Sequence, residues 1–183
     1  MSDKPLAGKK VAILIADGFE QVEMTEPRKA LDAAGADTSI VSLKPGQVRA
    51  WKFTEWGERF PVDMEVERAD PAAFDALLLP GGVLNPDTLR MNKTAMSFVR
   101  HFFDADKPVA AICHGPWSII EAGAAVGRHM TSWPSLQTDL RNAGAQWLDA
   151  EAVHDRNLVT SRKPEDLPKF CKAGTELLAG VLV

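Results

Sequence analysis

Five short apolar runs, Val11–Ala16, Thr38–Leu43, Ala76–Leu79, Val109–Ile112 and Leu158–Thr160, set the tightest limit on what this chain can fold into. Several carry apolar residues at consecutive rather than alternate positions, the pattern of a strand covered on both faces. Stretches with helical spacing separate them: Val22–Ala34 closed by Gly35, Thr94–Asp104, Trp117–Ala122 closed by Gly123, Ser135–Asn142 ended by Gly144, and a long final stretch, Pro164–Leu182. Strand and helix in alternation predict a doubly wound α/β fold, with a mostly parallel central sheet and helices on both faces. A chain of 183 residues that is 45% hydrophobic can bury one sizeable core, so a single domain over residues 1–183 is expected. Lys44–Met64 breaks the alternation. With Trp51, Trp56, Gly46 and Gly57 it fits a small hairpin excursion that covers either the site or a partner. A second hairpin is expected over Glu151–Ser161, turning at Asp155-Arg156-Asn157.

Charge and cysteine usage narrow the function classes. The formal net charge is −4 and the sequence pI about 5.6, with no local cluster of lysine and arginine. Neither nucleic acid nor an anionic membrane surface is an expected partner; small molecules or proteins are. Lys9-Lys10 precedes an apolar run that ends at Asp17, too short for the apolar core of a signal peptide, and no run approaches a membrane span. The two cysteines, Cys113 and Cys171, lie far apart in sequence and give neither a disulfide framework nor metal-ligand spacing, which points to a reducing cytoplasm. His129 and His154 lack partners at metal spacing, and no phosphate-cradling glycine motif occurs. No metal and no cofactor is expected.

In an open α/β sheet, function gathers where strands end at their carboxyl edge. The fourth run ends in Cys113-His114-Gly115-Pro116. This reads as a nucleophile elbow, in which Gly115 lets the backbone turn and Pro116 is pre-set for the first turn of a helix. Partial positive charge at the amino end of that helix would favour thiolate, so a depressed thiol pKa is expected. The first run is followed by Glu20 and Glu23 at the opening of a helix, where acidic residues are also favoured by the macrodipole alone. A protonated Glu23 beside the sulfur could donate to a thiolate; an ionised one would raise the thiol pKa. The third run is followed by Pro80-Gly81-Gly82, whose amides are candidates for an oxyanion hole, and then by Asp87, a candidate to orient His114 as base. Trp117, just beyond the elbow, is a candidate pocket residue, and Cys171 has no elbow signal and reads as structural.

Ala111-Ile112-Cys113-His114-Gly115-Pro116, with Phe19–Glu23 before it and Gly127–Pro134, Asn142–Trp147 and Ser161-Arg162 after it, resembles the PfpI family of the ThiJ/PfpI superfamily. The resemblance implies a flavodoxin-like sandwich, related to the class I glutamine amidotransferases, that assembles as a homodimer or a hexamer of dimers. It also implies Cys113 as nucleophile, Glu23 hydrogen-bonded to it, and a PfpI-type triad of Cys113 and His114 completed by an acidic residue from a neighbouring subunit. Asp87 matches that acidic position, with aspartate where glutamate is familiar. The amidotransferases' own Gly-x-Cys-x-Gly elbow and late His-x-Glu pair are absent.

The expected function is therefore that of a cysteine-dependent stress-protection enzyme. It would act on peptide bonds, or on methylglyoxal and early glycation adducts, as the resemblance to PfpI peptidases, glyoxalase III and deglycases implies. Cys113, His114, Glu23 and Asp87 would be catalytic, and Gly81, Gly82, Glu20 and Trp117 would bind substrate. The alternative is a redox sensor of oxidative stress in which Cys113 is oxidised to sulfenic and sulfinic acid without turnover.

Overall fold

The architecture was described from a computed structural model, which describes residues 4–181. The chain runs β1 (Lys10–Leu14), β2 (Phe19–Glu20), α1 (Gln21–Ala33), β3 (Asp37–Ser42), β4 (Gln47–Lys52), β5 (Glu55–Pro61), β6 (Met64–Glu65), β7 (Ala76–Leu79), α2 (Leu84–Leu89), α3 (Lys93–Asp104), β8 (Val109–Ile112), α4 (Pro116–Glu121), β9 (His129–Met130), α5 (Gln137–Asn142), β10 (Gln146–Trp147), β11 (Ala152–Asp155), β12 (Leu158–Ser161) and α6 (Leu167–Leu178). The central sheet has seven strands in the order β11-β12-β8-β7-β1-β3-β6, parallel except for the β11–β12 hairpin.

The consecutive apolar residues of the strands explain why this sheet is buried on both sides. In β1, Ala12 and Leu14 face one core while Val11 and Ile13 face the other, and β7 and β8 divide in the same way. The first core is closed by α3, α4 and α5 through Phe98, Phe102, Ile119 and Leu140, and the second by α1 and α6 through Met24, Leu31, Phe170 and Leu177. The predicted doubly wound α/β fold is the one observed. Among the described residues no helix is long and apolar enough to cross a membrane.

Strand order reverses between β1 and β7, because the chain leaves β1 toward β3 and β6 and then returns to the other side. The crevice outside these strand ends is where an open sheet leaves room for a ligand. The expected Lys44–Met64 excursion is the β4–β5 hairpin, joined to β2 in a separate three-stranded sheet, with the short β6 returning to the edge of the main one.

Three details depart from the sequence reading. The long final helix is a 3-10 turn at Pro164–Asp166 followed by α6, and Leu182, its expected end, lies outside the described residues. Helix α2 is not among the expected helices, and it contains Pro86. Proline sits in its first turn, where the missing N–H has no partner to lose. The two-residue strands β9 and β10 pair with each other and are too short for any periodicity to reveal.

Candidate active site

The site is built from the ends of β1, β7 and β8. After Ile112 the backbone turns with Cys113 at φ +62°, a left-handed conformation costing a non-glycine residue about 1–3 kcal/mol. Neighbouring backbone holds it there. Cys113 N–H donates to Ser161 O at 3.0 Å, Cys113 O accepts from Trp133 N–H at 2.9 Å, and Gly115 N–H closes onto Ile112 O at 2.9 Å. The elbow expected from the sequence is present, but the strain falls on the cysteine itself. Gly115 has an ordinary helical φ of −49°; it must be glycine because a Cβ there would lie 2.4 Å from Leu79 O and 2.9 Å from Ile112 O. Its role is close approach of two strand ends, not the turn.

Glu23 enters from the first turn of α1 and is fully buried, as are few carboxyls without a partner. Its Oε2 accepts from Gly81 N–H at 2.9 Å, Oε1 is buried without a hydrogen-bond partner, and the neighbouring Cys113 thiol favours the ionised carboxyl. The Gly81 amide is thus committed to Glu23, so Gly81 positions the carboxyl instead of offering an amide to substrate. A Cβ at Gly81 would lie 2.4 Å from Glu23 Oε2 and 2.6 Å from Cys113 Cβ. Gly82, at φ +78°, brings its backbone against Gly18 and Glu20, and its amide and that of His114 face the sulfur. Asn85, fully buried in α2, ties this turn together: Oδ1 accepts from Ala16 N–H at 2.7 Å, and Nδ2 donates to Pro80 O and Gly81 O, each at 3.0 Å. Sequence reasoning passed over Asn85; a polar residue three positions after the glycine pair was the available signal.

Burial governs the electrostatics. It pushes Glu23 up to about 8, and it pushes the Cys113 thiol up as well, with an ionised Glu23 pushing it further. The expected depressed thiol is therefore corrected. The amides that help the sulfur are those of Gly82 and His114, and they oppose a larger desolvation cost. The two acids titrate as a unit, because so small a buried site holds one negative charge rather than two. Two amides face the sulfur and favour a charge there, one amide favours a charge on Glu23, and burial opposes both, so the proton between them is set by this balance. His114 Nδ1 lies 3.1 Å from the sulfur, and burial lowers the imidazole to about 4, leaving it neutral near pH 7.

A cavity of about 450 Å³ opens over Cys113, lined also by Glu20, Trp51, Phe53, Leu84, Trp133 and Pro164. The hairpin excursion thus covers the site. Glu20, raised by burial, lines the cavity and accepts from Phe53 N–H at 3.2 Å, which ties down the hairpin tip. Trp117 does not line it. Its indole N–H donates to Asp139 at 2.9 Å and its ring packs edge-on to His114, while Trp133, not singled out from the sequence, lines the cavity instead. Asp87 is exposed on α2 and is not among the lining residues. Cys171 lies half-buried in α6, and burial raises it to about 11.

Comparison with known proteins places this geometry in a family. Residues 9–177 match the DJ-1/PfpI family. The chain is 41% identical to a Bacillus subtilis protein named as a cysteine protease, YraA, over 93% of this chain and 98% of that one. It is 40% identical to Deglycase TK1284 of Thermococcus kodakarensis (92% and 99%) and 41% identical to Protein/nucleic acid deglycase 2 of Escherichia coli (93% and 98%). Among solved structures, Drosophila melanogaster DJ-1beta superimposes with a TM-score of 0.85 at 26% identity, covering 94% of this chain and 91% of that one. A two-domain Anabaena variabilis protein, with DJ-1/ThiJ/PfpI-like and ferritin-like domains, gives 0.87 at 35% identity over 93% of this chain and 48% of that one. With its elbow cysteine, buried glutamate and matched length, this chain belongs to the DJ-1/PfpI family.

Proposed function

We propose that the protein is a cysteine-dependent stress-protection enzyme that attacks carbonyl groups of methylglyoxal, of early glycation adducts or of peptide bonds. The observation that carries this reading is the meeting of Cys113, a neutral His114 at 3.1 Å and a buried Glu23 under an open cavity. The sulfur adds to the carbonyl carbon, and the nascent oxyanion lies beside the amides that face the sulfur. In this reading the sulfur attacks as the thiolate, the neutral His114 at its side relays a proton between solvent and the adduct, and Glu23 keeps its own proton on the sulfur side. The deglycase and protease names of the relatives agree with such chemistry, and the cavity of about 450 Å³ has room for a small carbonyl compound.

Lactate formed from methylglyoxal by the wild type, by Cys113→Ala and by peroxide-treated wild type tests the proposal. Multiple turnovers in the untreated protein, lost in both other samples, are expected. No turnover in the untreated protein would put peptide hydrolysis and redox sensing ahead of it. The sensing reading has its own support in the unpartnered Glu23 Oε1, which in the protonated carboxyl could donate to an oxygen added to the sulfur. It predicts stoichiometric consumption of peroxide.

The same proposal puts the protein in the cytoplasm as a homodimer or higher homo-oligomer, with the partner subunit's Asp87 completing the site. The exposure of Asp87, outside its own chain's cavity, is the reason to look across an interface. Mixing Asp87→Asn with Cys113→Ala chains should restore activity, and no recovery after confirmed subunit exchange would place the whole site in one chain.

A further inference from the structure

The cavity over Cys113 is larger and less polar than the smallest substrate above requires. Its volume is about 450 Å³. A five-heavy-atom aldehyde fills on the order of 100–150 Å³, at roughly 30 Å³ per water-sized unit. The remaining space is walled by Trp51, Phe53, Val83, Leu84 and Trp133. No lysine or arginine is among the lining residues, and the acids there, Glu20 and Glu23, are both raised by burial, so an anionic substrate would meet no counter-charge.

The aromatic walls are held in place. Trp133 donates its backbone N–H to the Cys113 carbonyl, and its ring lies nearly parallel to the His114 imidazole, at 22° with centroids 6.0 Å apart. That places an indole beside the nucleophile's own base. Trp51 spends its indole N–H on Phe53 O at 2.9 Å and packs edge-on against Trp56 at 5.4 Å, so its polar atom is occupied inside the hairpin. Phe53, at φ +56° on the tip, lines the cavity and is 59% exposed, so its ring is available to an apolar group that enters.

Resting on the reading of Cys113 as an aldehyde-attacking nucleophile, we propose that the preferred substrates are uncharged 2-oxoaldehydes with an aromatic substituent, selected by Trp133 and Phe53. The sulfur adds to the aldehyde carbon to give a hemithioacetal. The hydrogen on that carbon and its bonding pair are transferred to the neighbouring ketone carbon, which becomes the alcohol as the first carbon becomes a thioester. Water then cleaves the thioester, releasing the 2-hydroxy acid and restoring the thiol. The sum, RCOCHO + H₂O → RCH(OH)COOH, needs no external oxidant or reductant.

The test is kcat/KM of the full chain for phenylglyoxal, methylglyoxal and 4-carboxyphenylglyoxal, read as the 2-hydroxy acids formed. Phenylglyoxal should be preferred to methylglyoxal by roughly ten-fold or more, the discrimination an apolar pocket gives for a group that fills it. The carboxylated analogue should fall below phenylglyoxal by a similar factor. Trp133→Leu and Phe53→Asn, the latter keeping a residue that tolerates the left-handed backbone, should each shrink the phenylglyoxal preference about five-fold. Turnover of methylglyoxal without a preference for phenylglyoxal, a preference that survives both substitutions, or equal use of the carboxylated analogue overturns this inference alone. No turnover of any of the three overturns the proposed aldehyde chemistry and the inference with it.

Discussion

The floor and the roof of the Cys113 cavity are built by opposite means. On the floor, strand ends from one buried sheet converge, and their polar groups are held across long stretches of sequence: Cys113 by Ser161 and Trp133, Gly81 by Glu23, and the glycine turn by Asn85. A strained cysteine persists there because its surroundings over-determine it. The roof is the β4–β5 hairpin, whose second strand is exposed at most positions, whose register shifts between Arg49 and Trp51, and whose tip is tied down by Glu20. The floor fixes the chemistry, and the roof is free to set what reaches it.

The largest expected effect separates the two cysteines. Cys113→Ala removes the nucleophile and should lower turnover by about 10³-fold or more, whereas Cys171→Ala, in α6 and outside the cavity, should leave kcat within about two-fold. Equal losses would break the account. Gly115→Ala comes next. Its Cβ would press on two backbone carbonyls that cannot easily move, so a loss of about 2 kcal/mol is expected, lowering Tm by roughly 4–8 °C in a calorimetric scan. An unchanged Tm would show that the floor is less tightly packed than described. The smallest effect belongs to the roof. Glu20→Ala releases the Phe53 amide, so KM should rise about three-fold with kcat nearly constant and stability changed by about 1 kcal/mol or less. A collapse of kcat would assign Glu20 to the floor.

The same division explains what the sequence made legible. The strands of the floor announced themselves through consecutive apolar residues, and Cys113-His114-Gly115-Pro116 and the Glu20–Glu23 pair are local strings whose meaning survives folding. Roles that depend on approach between distant segments were not readable. Gly115 looked like a turn residue because nothing nearby in sequence reveals Leu79 O pressing against it. Gly81 looked like a free donor because Glu23, its partner, lies 58 positions away. Trp117 was favoured over Trp133 by adjacency to the elbow, yet the helix turns its indole to Asp139, while Trp133 arrives from a loop through a backbone bond to Cys113. The hairpin's position over the site required its pairing with β2, a strand of two residues.

The proposed chemistry requires Cys113 and Glu23 to share one negative charge that resides on sulfur. The pH profile of Cys113 alkylation by iodoacetamide, followed by mass spectrometry in the wild type and in Glu23→Gln, tests it most directly. The wild-type rate should level off after a midpoint near or below the value of about 8 to which burial raises the pair's carboxyl. Glu23→Gln, a weaker donor to the thiolate, should move the midpoint upward by about one pH unit or more. A wild-type rate still climbing at pH 10, or a midpoint that the substitution leaves in place or lowers, would put the charge on Glu23 or uncouple the two residues, and would contradict the account.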